Sequence, residues 1–153
     1  MDAHDHPEEY VEEYIGYTFK NHRFIAEAVK RPDNRRLGML GDKIVGILLL
    51  DEWYRNSGLG CQQGNYEIQR WGSNSEMVSE ARSAKFDKFM EPDFLRLYGT
   101  KGYDHDLATV VEAIIGAVWV DSHRDWDVTR DCYSQIQHHL PGRQSLEDLW
   151  FSE

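Results

Sequence analysis

With 153 residues the chain has the length of one domain, and its 41% apolar and 12% aromatic content, beside only four prolines, fits a globular domain rather than a disordered tail. Seventeen basic against 27 acidic residues leave a formal charge of −10, which argues against a stand-alone nucleic-acid binder, since phosphate binding draws on clustered cations. The longest apolar stretch, seven residues from Ile44 to Leu50, is far short of the ~20 needed to cross a bilayer.

The opening MDAHDHPEEYVEEY is acidic, with neither the basic start of a secretory signal nor the arginine bias of a presequence. A soluble, intracellular protein is therefore expected, with no membrane partner. Pro7 suits the first turn of a helix through Tyr10, Val11 and Tyr14 that stops at Gly16. Asn21 is placed to cap a second helix over Phe24, Ile25, Ala28 and Val29, and Pro32-Asp33-Asn34 breaks the chain after it. From Arg35 to about Arg55 the pattern is apolar on nearly every face, which predicts a central helix covered by its own domain or partly by a partner.

Ser57-Gly58-Leu59-Gly60 reads as a loop, followed by a short helix over Tyr66, Ile68 and Trp71. Ser73 with Glu76 three residues on reads as a capping box opening a helix across Met77, Ala81 and Ala84. After Pro92 and a turn at 99–102, apolar residues at spacings of three and four predict a strong helix from Asp106 to Val120. A last amphipathic helix is predicted from Trp126 to His139, with Val128, Cys132, Ile136 and Leu140 inward and Pro141-Gly142 as its stop. The expected organisation is one all-α domain over residues 1–142 with a tail at 143–153, in which Trp150-Phe151 docks on its own domain. Cys61 and Cys132 show no CxxC or Cys/His spacing and read as two reduced thiols.

Three stretches carry a family likeness. IGYTFKNHRFIAEAVKR at 15–31 is similar to the opening pair of helices of the ribonuclease III catalytic domain, RRLGMLGDKIVG at 35–46 to its signature ERLEFLGDAVLG, and DLATVVEAIIGAVWVD at 106–121 to its second acidic segment. Weaker agreement at SNSEMVSEARSAKF, 73–86, lies between them. The resemblance implies a ribonuclease III-like helical fold over about residues 8–140. It also implies hydrolysis of double-stranded RNA by two metal ions held in a carboxylate cluster. The four acidic positions of the family fall at Gly38, Asp42, Thr109 and Glu112, so two carboxylates are missing, and the first Glu of the signature is replaced by Arg35. Met39 falls where the signature has an aromatic residue used in dimer contact, which implies a homodimer along this helix.

Helical spacing sets Gly38 one turn below Asp42 and Thr109 about one turn below Glu112. Asp42 reads either as a working ligand or as a relic paired with Arg35, and Glu112 either as a ligand or as a structural hydrogen-bond partner. Asp104 or Asp106 stands as a substitute ligand. His105, Thr109 and Glu112, at i, i+4 and i+7, line one side of the later helix. With Asp42 opposite they outline a pocket of an acid, a base and a hydroxyl, widened by the absent side chain at Gly38. The plainer reading of His105 is a loop-end residue near the helix start. The pairs His4/His6 and His138/His139 do not form a convincing metal site, and Trp53, Trp71, Trp119 and Trp126 read as core rather than as stacking platforms.

Three functions follow from these readings. The leading one is a divergent ribonuclease III-type domain without ordinary cleavage, acting as a dimeric scaffold or RNA-associated subunit that binds double-stranded RNA weakly. The second is a residual endonuclease in which Asp42 and Glu112 hold Mg²⁺ or Mn²⁺. The third is a repurposed pocket in which Arg35, Asp42, His105 and Glu112 bind or transform a small anionic molecule.

Overall fold

The structure, a computed structural model, describes residues 5–89 and 101–137. The described residues form helices and connecting turns, with no strand. The helices are α1 (Pro7–Ile15), α2 (His22–Ala28), α3 (Arg35–Asn56), α4 (Cys61–Trp71), α5 (Asn74–Ser83), α6 (Lys101–Asp121) and α7 (Trp126–Ile136), with a short 3₁₀ turn at Phe86–Phe89. None of them is long and apolar enough to cross a membrane.

Local chemistry sets the ends of these elements. Pro7 occupies the first turn of α1, and Gly16 closes it in the left-handed conformation (φ 71°). The Asn21 side chain accepts a hydrogen bond from the Arg23 amide at 3.0 Å and so caps α2. Ser73 Oγ accepts from the Glu76 amide at 3.2 Å, but Glu76 does not complete the capping box, because its carboxylate pairs instead with Arg70 at 2.8 Å. Cys61 is exposed and Cys132 buried, and both are free thiols.

Two boundaries differ from expectation. α6 begins at Lys101, five residues ahead of the expected Asp106, so Lys101 and Gly102 are helical rather than part of a turn. The cost of a helical glycine, about 1 kcal/mol, is small beside the burial of the helix that follows. α7 ends at Ile136, three residues short of His139, where Gln137 adopts an extended conformation. The break at Pro92, the inward Leu140, the Pro141-Gly142 stop, His4, His138, His139 and the tail from Arg143 lie outside the described residues.

α6 is the axis of the core. Leu107, Ala108, Val110, Val111, Ala113, Ile114, Ile115, Ala117 and Val118 are all buried, and α3, α5, α2 and α7 pack around them. The most extensive contact is with α3, and it depends on backbones meeting closely: a Cβ on Gly41 would run into the Glu112 carbonyl, and one on Gly116 into the Leu37 carbonyl. α3 is apolar on most faces, as expected, but only one side is covered by the domain. Leu37, Ile44, Val45, Leu48 and Leu49 face inward, while Met39, Leu40, Ile47 and Tyr54 lie exposed.

Asp121 fastens the first turn of the chain to the end of α6. Its carboxylate, 4% exposed, accepts hydrogen bonds from the Tyr17 hydroxyl (2.7 Å) and the Lys20 and Asn21 amides (2.8 Å each). Burial alone would raise its pKa. These three donors and the Lys20 charge outweigh that effect and hold it below the usual carboxylate range.

The α3–α6 crossing is testable by a pair of substitutions on one helix. Gly41→Ala, which drives a methyl into backbone, is expected to destabilise the domain by roughly 3 kcal/mol or more in urea unfolding. Gly46→Ala, where nothing lies within 4 Å, is expected to be neutral or to stabilise by up to about 1 kcal/mol.

Candidate functional site

The α3–α6 crossing has an open cleft on one side, about 360 Å³ in volume. Arg35, Gly38, Met39 and Asp42 line it from α3, His105, Thr109 and Glu112 from α6, and Asn74 from the start of α5. The four residues singled out as candidates, Arg35, Asp42, His105 and Glu112, therefore share one surface. Asn74 was not singled out, and no spacing signal marks it, because it reaches the cleft only through the way α5 packs on α6.

The two remaining carboxylates meet across the crossing. Gly41 lets the backbone at Glu112 lie directly against α3, which sets Glu112 beside Asp42 one residue on. Glu112 is 9% exposed, whereas about half of the Asp42 side chain is open to solvent. Burial, then a hydrogen bond with Asp42 and the Asp42 charge, push the Glu112 carboxyl up to about 8. At neutral pH Glu112 is thus largely protonated and donates its proton toward the Asp42 carboxylate.

The other two positions are filled by each other. Thr109 Oγ1 donates to the His105 carbonyl at 2.9 Å, so its hydroxyl is used within its own helix. Its methyl faces Gly38: a Cβ built there would lie 2.7 Å from Thr109 Cγ2. The pocket is therefore not widened at Gly38, contrary to expectation, because the threonine methyl takes that space.

Several individual assignments change. Asp42 has no ion pair with Arg35, and its cationic neighbour is Lys43 at 3.7 Å. Asp106 is no substitute ligand, since its carboxylate pairs with Arg31 at 2.7 Å away from the cleft. Asp104 lies 3.5 Å from Arg82 on a neighbouring surface. His105 sits in the second turn of α6 rather than at a loop end, with an exposed side chain. Trp71, Trp119 and Trp126 pack against the core but are only half buried, and Trp53 lies over Gly64.

Among the described residues no group of three or more His, Cys, Asp or Glu is placed to hold a metal ion. Asp42 and Glu112 remain as a two-carboxylate donor set. That fits one hard cation completed by other oxygens, and does not fit a two-ion centre.

Known proteins share both sequence and fold with this chain. It is 31% identical over 134 residues to ribonuclease 3 of Vibrio cholerae, a match covering 81% of this chain and 57% of that protein. It is 31% identical over 127 residues to ribonuclease 3 of Idiomarina loihiensis, covering 75% and 53%. The fold matches the nuclease domain of ribonuclease III from Campylobacter jejuni with a TM-score of 0.73 at 19% identity, over 85% of this chain and 95% of that domain. The chain is a ribonuclease III catalytic-domain-like protein. It spans about half the length of the two curated relatives described here. No protein-family model matches it.

The carboxyl pair sets a pH dependence for this ribonuclease III-like domain. Glu112 holds its proton in the folded state up to about pH 8 but loses it near 4.5 when unfolded. Folding therefore retains a proton over this window, and stability falls as pH rises through it, with the full penalty present above pH 8. Glu112→Gln is expected to flatten the loss of unfolding free energy between pH 5.5 and 8.5 by roughly 2 kcal/mol. Urea titrations at the two pH values check this, and equal slopes for both proteins would contradict it.

Proposed function

We propose that this chain is a divergent ribonuclease III-type domain that does not perform ordinary double-stranded RNA cleavage and acts as a dimeric scaffold or RNA-associated subunit. The observation that carries this reading is the packing of Thr109 on Gly38. Two of the four positions where the family resemblance implies carboxylates hold no ligand, and the space one of them would need is taken by a methyl group. With Glu112 holding its proton at neutral pH, this site is a weak cation trap, because an ion must first displace that proton.

Asp42 and Glu112 are the residues that would hold a divalent ion, Mg²⁺ or Mn²⁺, in a residual nuclease. Such an ion would supply Lewis-acid stabilisation of phosphate charge. The formal charge of −10 favours only weak attachment to RNA. Arg35 and His105 at the rim of the same cleft support the reading of a site for a small anionic ligand, since Arg35 is exposed and pairs with no described carboxylate.

The scaffold reading rests on α3. Met39, Ile47 and Tyr54 are 75%, 54% and 75% exposed and lie within roughly 80° of one another around the helix, at 100° per residue. Leu40 flanks them. A stripe of this kind is costly to leave in water and suits an isologous contact with a second copy. The Campylobacter jejuni nuclease domain is itself described with a region involved in dimer formation.

Two experiments separate these readings. With Mg²⁺ or Mn²⁺ and long duplex RNA the protein is expected to give no cleavage above buffer, and specific cuts abolished by Asp42→Ala would overturn the proposal. Light scattering at micromolar concentration is expected to show a dimer that the double variant Met39→Asp/Ile47→Asp converts to a folded monomer. A monomeric wild type would contradict the scaffold role.

A further inference from the structure

A second cavity, of about 250 Å³, lies away from the α3–α6 cleft and is lined by Trp71 at the end of α4, Glu76, Ser79, Glu80 and Ser83 of α5, and Ile136 and Gln137 at the end of α7. Its unusual member is Glu80. The residue is 6% exposed, and neither of its carboxylate oxygens has a hydrogen-bond partner. It follows Met77 by three positions and precedes Ala81 and Ala84, both fully buried, so it lies on the inward face of its helix. A carboxylate there, with no donor, is stable only when protonated or when a cation joins it.

Two residues of its lining, Trp71 and Glu76, already hold a cation. The Arg70 guanidinium lies over the Trp71 ring at 4.1 Å and binds the Glu76 carboxylate at 2.8 Å, an aromatic face and an acid acting together. Glu80, one turn further along the same helix, has the acid and the neighbouring aromatic wall without the guanidinium. We infer that this cavity is a binding site for a small organic cation, an alkylguanidinium or alkylammonium group, with Glu80 as its counter-ion. Water takes up about 30 Å³ per molecule in the liquid, so the space suffices for such a group.

The surrounding charges agree with this assignment. Glu76 adds negative charge from α5, and Arg70 on α4 is engaged with Glu76. From α7 come Gln137 and the fully buried Tyr133, whose hydroxyl is held neutral by burial and by the Glu80 charge. Burial, then the Glu76 charge, push the Glu80 carboxyl up to about 8. A bound cation favours the ionised form, so binding releases a proton below pH 8 and tightens as pH rises toward that value.

The test is calorimetric titration of the full chain with n-butylguanidinium, which does not itself titrate in this range, and with neutral n-butylurea as control. Saturable binding of the guanidinium at pH 8.5 is expected, weakening by up to about tenfold per pH unit below pH 8. Binding of the urea is expected to be absent. Glu80→Gln, with its fold checked by circular dichroism, is expected to weaken binding at least about tenfold. No saturable heat, an affinity for wild type that ignores pH, equal binding of the urea, or unchanged affinity in Glu80→Gln would each overturn the assignment. The pH series on wild type alone decides the matter if the variant does not fold.

Discussion

The contact between Gly41 on α3 and the backbone of Glu112 on α6 is the constraint on which the rest of the structure depends. Without a side chain at Gly41 the two central helices touch backbone to backbone, and Gly116 repeats the arrangement against Leu37. This packing buries α6 on nearly every side and leaves α3 with one covered and one open face. It also fixes which side chains can meet: Asp42 and Glu112 are neighbours because the residue before one abuts the main chain of the other. The apolar core and the candidate site are thus consequences of one approach of two helices, rather than separate features.

Close packing has an opposite consequence one turn away. Where Gly38 faces Thr109, the threonine methyl takes the space that a Cβ on Gly38 would need. A carboxylate cluster spread over both turns would hold two cations. At the pair that remains, burial first, and then the hydrogen bond with Asp42 and the Asp42 charge, keep Glu112 protonated far above the usual carboxylate range. Gly38 and Thr109 therefore lower the number of ligands at this crossing.

Much of this was legible in the residues themselves, and the reasons differ by element. The apolar spacing of Leu107 to Val118 marked α6, because burial on several sides leaves its pattern in composition, and the apolar residues on most faces of α3 marked that helix, although the domain covers only one of its sides. The cleft was legible as well, since i, i+4 and i+7 spacing puts His105, Thr109 and Glu112 on one face. Pairings between distant elements were not legible. Asp121 holds donors about a hundred positions earlier in the chain, and the Thr109 methyl fills a space on another helix. Glu80 did leave a signal, for 77, 80, 81 and 84 form one helical stripe and a glutamate stands within it. Reading that stripe as Met77, Ala81 and Ala84 alone passed over the one charged member.

The number of metal ions this site can hold tests the central claim most directly. Crystals soaked in Mn²⁺ at neutral pH, examined by anomalous diffraction at the manganese edge, report that number without reference to any substrate. At most one ion is expected, held between Asp42 and Glu112, with Thr109 still packed on Gly38. Two manganese ions about 3.5–4 Å apart, bridged by Asp42 and Glu112, would contradict it.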